Sequence, residues 1–136
     1  MLYAIHMGFV DGYSRGQSEI VHLVSSAEAV EEDDDLRWVF TDGHAEMAPL
    51  TDFYNDLDDL DKIDWNVMKS TYWNDTDDDP DRKRRRQAEF LVHEFFPWKL
   101  IAGIGVHGQA TVERVQEILK KSRHKPDVEI KRAWYY

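Results

Sequence analysis

The stretch DDDPDRKRRRQAEFLVHEFF, residues 77–96, passes from an acidic loop through five consecutive basic residues into an apolar segment. The last part reads as a β-strand. Ala88, Phe90 and Val92 share one face, and Gln87, Glu89, Leu91 and His93 share the other. Glu89 therefore stands at the start of a buried-looking strand, directly behind a cationic loop. A carboxylate in that position is costly unless it is paired or faces a cleft. From the residues alone three readings stay open: an ion pair with Arg85 or Arg86, a strand-edge charge, or a cleft carboxylate with chemistry to perform.

The basic run is a local exception. The 136 residues carry a formal net charge of -10, and without Arg82, Lys83, Arg84, Arg85 and Arg86 the balance is 12 basic against 27 acidic residues. So acidic a chain repels nucleic acid at long range, which makes the cluster stand out. A hydrophobic fraction of 42% and a charged fraction of 32% place the chain among globular proteins, with length for one core. The absence of cysteine excludes a disulfide framework, a thiolate metal site and a cysteine nucleophile, and fits a reducing cytoplasm. No apolar run approaches the roughly 20 residues that cross a bilayer, and the opening MLYAIHMGFVDGY is not a signal peptide.

Outward from the strand, hydrophobic spacing predicts a mixed α+β domain built on one sheet. MLYAIHMG reads as a short helix. SEIVHLVSS reads as a strand covered on both faces, AEAVEEDDD as a helical turn or loop, and LRWVFTDG as a strand ending at the Asp42-Gly43 turn. In APLTDFYNDLDDLDKIDW, residues Leu50, Phe53, Tyr54, Leu57 and Leu60 recur at helical spacing. Residues 67–86 read as a long loop, and loops of that length are functional or disordered. WKLIAGIGVH is a further strand, ATVERVQEILKK a helix with Val112, Val115, Ile118 and Leu119 on one face, and VEIKRAWYY a last strand.

Several patterns invite chemistry. Asp75, Asp77, Asp79 and Asp81 hold positions 1, 3, 5 and 7 of a calcium loop, but Pro80 and Arg86 occupy the places of the required glycine and bidentate acid. GIGVHG matches the dinucleotide fingerprint at Gly103, Gly105 and Gly108. Only one strand follows it, so close packing is the competing account. None of the six histidines forms a metal-ligand spacing, and His44 and His93 are the ones best placed for function. In the long loop, Tyr72 and Trp73 offer flat faces for unpaired bases, and the arginine run offers phosphate contacts. A strand carboxylate beside such a loop can hold a ribose hydroxyl while a glycosidic bond ionises.

These residues carry a resemblance. MLYAIH, FTDGHA, FYNDLDDLDKIDW, YWNDT, DPDRKRRRQAEFLVHEFFPW and IGV closely resemble the DarT family of DNA ADP-ribosyltransferases, toxins of the DarT–DarG toxin–antitoxin pair, from Met1 to about Val106. The resemblance implies a split mixed β-sheet with flanking helices and a cleft for NAD. It implies transfer of ADP-ribose from NAD, consumed as co-substrate, to thymine in single-stranded DNA, with no metal. It maps the catalytic glutamate onto Glu89 and the target-recognition loop onto Tyr72 to Gln87, so that Tyr72, Trp73, Arg82, Lys83, Arg84, Arg85 and Arg86 would meet DNA. His44 and Gln87 would contact NAD, and an antitoxin of the DarG type would be a partner. Family members look longer at the N-terminus, so the chain is expected to be the C-terminal portion of such a domain, with Met1 an internal methionine. Two alternatives accompany this reading: an incomplete relative that only binds DNA or an antitoxin, and an oxidoreductase using Gly103 to Gly108.

Overall fold

A computed structural model describes residues 2–136; for Ala48 it describes the backbone alone, and the expectation placed on Met1 lies outside the described residues. In chain order the elements are α1 (Leu2–His6), β1 (Val21–Val24), α2 (Ala27–Glu31), β2 (Trp38–Thr41), β3 (Phe53–Tyr54), α3 (Trp65–Lys69), α4 (Arg82–Arg85), β4 (Phe90–Val92), β5 (Gly103–Val106), α5 (Gln109–Leu119) and β6 (Asp127–Ile130). Among the described residues no helix is long and apolar enough to cross a membrane.

The mixed α+β class holds, but the expectation of one sheet does not: the described residues form two three-stranded sheets. They lie in two compact units, one of residues up to Ser26 together with Pro97–Tyr136, the other of Ala27–Phe96.

In the first unit the strand order is β1-β5-β6, with β1 antiparallel and β6 parallel to β5. The parallel pair needs a long crossover, and α5 supplies it. Ile104 and Val106 are buried in the central strand, and α5 buries Val112 and Leu119. The two edge positions Val21 and Leu23 stay 37% and 55% exposed, so β1 is not covered on both faces as its apolar run suggests. Ile118, read as part of the apolar face of α5, is also exposed. The strand expected over residues 98–107 begins only at Gly103, because Trp98–Leu100 forms a 3-10 turn. Gly103 and Gly105 lie inside β5, not in a phosphate-binding turn, and a Cβ at Gly105 would overlap the Trp134 ring. Close packing accounts for that glycine.

In the second unit β2 is central, with β3 and β4 antiparallel on either side. Its aromatics pair across strands. Phe40, nearly fully buried, stands opposite both Tyr54 and Phe90, and Trp38 stacks on Phe90 with ring centres 5.1 Å apart. Such cross-strand aromatic pairs are worth about 0.5–1.5 kcal/mol beyond their burial.

The helical spacing over residues 48–65 does not become a helix. Phe53 and Tyr54 are drawn into β3, and 3-10 turns at Ala45–Leu50 and Leu57–Lys62 flank them. Aspartates favour that outcome by satisfying nearby backbone donors themselves. Asp56 accepts from the Asp58 N–H at 2.9 Å, and Asp64 caps α3 by accepting from Val67 N at 3.0 Å.

Candidate active site

Glu89 lies one residue before β4, not within the strand. Its backbone is tied to the end of β2 by a pair of short bonds. The Glu89 N–H donates to Thr41 Oγ1 at 3.0 Å, and the Thr41 N–H donates to the Glu89 carbonyl at 2.9 Å. Thr41 is fully buried and donates its own hydroxyl to Gly43 O at 2.7 Å. One small polar residue therefore fixes where the Glu89 side chain starts.

That side chain is 38% exposed. Oε1 accepts from the Ala45 N–H at 3.3 Å and lies 3.6 Å from His44 Nδ1. His44 Nδ1 already accepts from the Glu46 N–H at 3.2 Å, which places the proton of a neutral ring on Nε2. The imidazole is thus a neighbour of the carboxylate and does not donate to it. Oε2 accepts no hydrogen bond among the described residues. Of the readings left open by the sequence, the ion pair with Arg85 or Arg86 is not formed among the described residues, which leaves a carboxylate at the strand edge or in a cleft.

The basic run turns instead toward the aspartates around it. Arg82 pairs with Asp79 at 3.4 Å and donates to Ser70 Oγ at 2.6 Å and to Tyr72 O at 3.2 Å. Arg84 forks onto Asp81 and reaches Asp42. Arg85 pairs with Asp64, Asp79 and Asp81. The local cause is spacing: Asp81 precedes Arg84 and Arg85 by three and four residues, the separation at which one helical turn brings charges together. The Arg84 hydrogen bond, opposed by desolvation and helped by its charge and that of Arg85, holds the Asp81 carboxyl below the ordinary carboxylate range. Asp79 and Asp81, two of the four calcium-loop candidates, face these guanidiniums together with Asp42 and Asp64.

Two cations of the run are placed differently. Lys83 is exposed, with only its backbone N–H held, by Asp75 at 2.7 Å. Arg86 lies over the Trp73 ring, 4.4 Å from its centre, and its Nε is buried without a hydrogen-bond partner. Tyr72 and Trp73 remain 52% and 43% exposed. Gln87 is half-buried, two residues before Glu89, with its N–H on Arg84 O at 3.0 Å.

The structure thus brings His44 to Glu89, and groups Tyr72, Trp73, Lys83 and Arg86 on the preceding loop. Residue spacing alone does not single out the supports of the site: Thr41, Thr51, Asp42 and the Ala45 N–H. The one signal for them is the TDG turn at residues 41–43. A cavity of about 820 Å³ opens in the other unit, lined by apolar side chains such as Val21, Leu23, Ile104 and Val115. It holds none of the site residues.

The family model for DarT, described as ssDNA thymidine ADP-ribosyltransferase, matches residues 1–136. A DNA ADP-ribosyl transferase of Thermus sp. (strain 2.9) is 42% identical over all of this chain and 63% of its own length. One of Mycobacterium tuberculosis (strain ATCC 25618 / H37Rv) is 35% identical over all of this chain and 58% of its own. The chain therefore spans about three fifths of the length of these curated relatives. Among solved structures, Thermus sp. 2.9 DarT in complex with ADP-ribosylated ssDNA matches with a TM-score of 0.89 at 41% identity, over 99% of this chain and 63% of that one. The same protein in complex with NAD+ also matches at 0.89, over 66% of its chain. Thermosipho africanus DarTG in complex with ADP-ribose, at 16% identity over all of this chain and 33% of that one, shares the fold with a TM-score of 0.65.

Proposed function

We propose, on the premise that this chain belongs to the DarT family of single-stranded DNA thymidine ADP-ribosyltransferases, that Glu89 is the catalytic carboxylate of ADP-ribose transfer from NAD to thymine. The observation that carries this reading is the state of Glu89 itself. It stands three residues beyond five consecutive cations, pairs with none of them, and is 38% exposed, with His44 beside Oε1 and no hydrogen bond to Oε2 among the described residues. A carboxylate oxygen without a hydrogen bond fits a ribose hydroxyl of NAD, the first contact this chemistry requires of it.

In the reaction the glycosidic bond to nicotinamide breaks and nicotinamide leaves with the bonding pair. The ribose carbon gains oxocarbenium character, which an adjacent carboxylate stabilises. A thymine ring nitrogen forms the new bond and gives up its proton, which Glu89 accepts in this reading. Attack opposite the leaving group demands a positioned base. Tyr72 and Trp73 supply the stacking faces, Lys83 and Arg86 the phosphate contacts, and His44 and Gln87 the contacts to NAD. Arg82 and Arg85 shape the loop through their aspartates. The partners of this reading are single-stranded DNA, NAD and an antitoxin of the DarG type, in the cytoplasm.

The test is direct. Incubated with NAD and a thymine-containing oligonucleotide, the protein is expected to add the mass of ADP-ribose to the DNA, and Glu89→Gln to abolish that addition while still binding the oligonucleotide. Transfer near the wild-type rate in Glu89→Gln would overturn the assignment. Binding without any transfer by the unaltered chain would favour the DNA-binding module.

A further inference from the structure

Arg84 sits in the middle of the run read as DNA-binding, yet its geometry is that of an internal strut. The side chain is 11% exposed. Nε and Nη2 donate to the two Asp81 oxygens, each at 2.8 Å, in the bidentate fork that only a guanidinium makes. Nη1 donates to Asp42 Oδ1 at 3.2 Å and reaches Thr51 Oγ1 at 3.5 Å. Every guanidinium nitrogen is therefore engaged within the protein. The group also lies flat on Gly43, where a Cβ would overlap it.

The backbone of Arg84 continues the same work. Its carbonyl accepts the His44 N–H at 3.2 Å, and the His44 carbonyl accepts from Thr51 Oγ1 at 3.0 Å, beside the guanidinium. Asp42 is braced further by accepting from Asp52 N at 3.0 Å. Residues 42–51 thus wrap around one arginine, and the next donor along that loop, Ala45 N–H, is the one that meets Glu89.

We propose that Arg84 is a positioning residue and not a DNA contact: it sets the 42–51 loop so that Ala45 N–H and His44 meet the Glu89 carboxylate. The proposal rests on the reading of Glu89 as the catalytic group. A phosphate would have to displace Asp81 or Asp42 to reach the guanidinium, leaving a half-buried carboxylate without its cation.

Two variants test it. Arg84→Gln removes the fork. Gly43→Ala keeps every charge but places a methyl group where the guanidinium lies. Amide hydrogen exchange at His44 and Ala45 is expected to lose about tenfold or more of its protection in both, while Phe40 and Leu91 in the adjoining strands stay protected. Arg84→Lys, a point charge without the fork, is expected not to restore that protection. Oligonucleotide binding in Arg84→Gln should keep the wild-type salt slope, and in transfer assays kcat should fall with oligonucleotide Kd unchanged. Unchanged protection at His44 and Ala45 in Gly43→Ala would overturn the proposal. So would a salt slope reduced by about one in Arg84→Gln, the mark of a lost phosphate contact. The Glu89→Gln control separates the two levels: if it retains transfer, the catalytic reading fails, while the exchange data still decide whether Arg84 holds the loop.

Discussion

Two glycines in this chain leave room for a large side chain, and the two occupants differ in kind. At Gly105, in the middle of β5, the space is taken by the ring of Trp134. Next to it the Tyr135 hydroxyl donates to Ile20 O at 2.8 Å, and burial pushes that hydroxyl's pKa up. At Gly43, before the 3-10 turn that carries Ala45, the occupant is the Arg84 guanidinium, held by Asp42 and Asp81. The first contact is ring carbon against backbone, with His22 and Lys131 flanking the indole. The second depends on three charges, each of which acid, salt or a single substitution can remove. Directed charge sets a loop whose amide must meet a solvent-facing carboxylate.

The largest effect that sharpens this contrast is expected at Glu89. Glu89→Gln should lower transfer by about 10²–10⁴-fold, the range for losing a positioned acid–base group, with the urea unfolding midpoint unmoved. A shift in that midpoint would place Glu89 among the structural residues. Next, Gly105→Ala should destabilise the fold by about 1–3 kcal/mol in urea unfolding, independently of salt, because the added methyl overpacks the Trp134 contact. A salt-dependent loss there would break the comparison. Trp73→Ala should weaken oligonucleotide binding by about 1–3 kcal/mol for each base stacked on the ring, leaving unfolding unchanged. The smallest effect concerns acid. Asp81 is depressed by Arg84, so its stabilising contribution is complete above the unfolded carboxylate value of about 4 and fades as pH falls through the lower folded value. Protection of His44 and Ala45 should decline in that window, while amides around Gly105 hold. Because the Asp81 side chain is 48% exposed, solvent screening keeps this effect modest.

Much of the framework is legible in the sequence where strands are β-branched or aromatic. VHLV, WVFT, FLV and GIGV all become strands near their expected places. Leu50 to Leu60 misled because the apolar positions match a helix while the aspartates between them cap and turn the chain, and β2 captures Phe53 and Tyr54. Glu89 stands out through its position behind the basic run and through family resemblance, and His44 through the same resemblance. The fate of the arginines was not legible in full. Asp81 to Arg84 is a local pair that spacing can suggest, but Asp42 lies 42 residues away and joins only once the fold exists. A run of like charges therefore reads as one patch, whereas each member finds its own partner. Thr41 is hidden for the same reason, since its hydroxyl matters only after β4 comes to lie beside β2.

The guanidinium of Arg86 over Trp73 has a consequence of its own. An indole on a long exposed loop ordinarily samples several rotamers, and an incoming base must halt that motion before it can stack. Here one face of the indole already rests against a cation, so under the proposed function a nucleobase stacking on the other face would meet a ring with fewer orientations to lose. On that reading less entropy is lost at the encounter, and the proposed stacking gains affinity without any further contact.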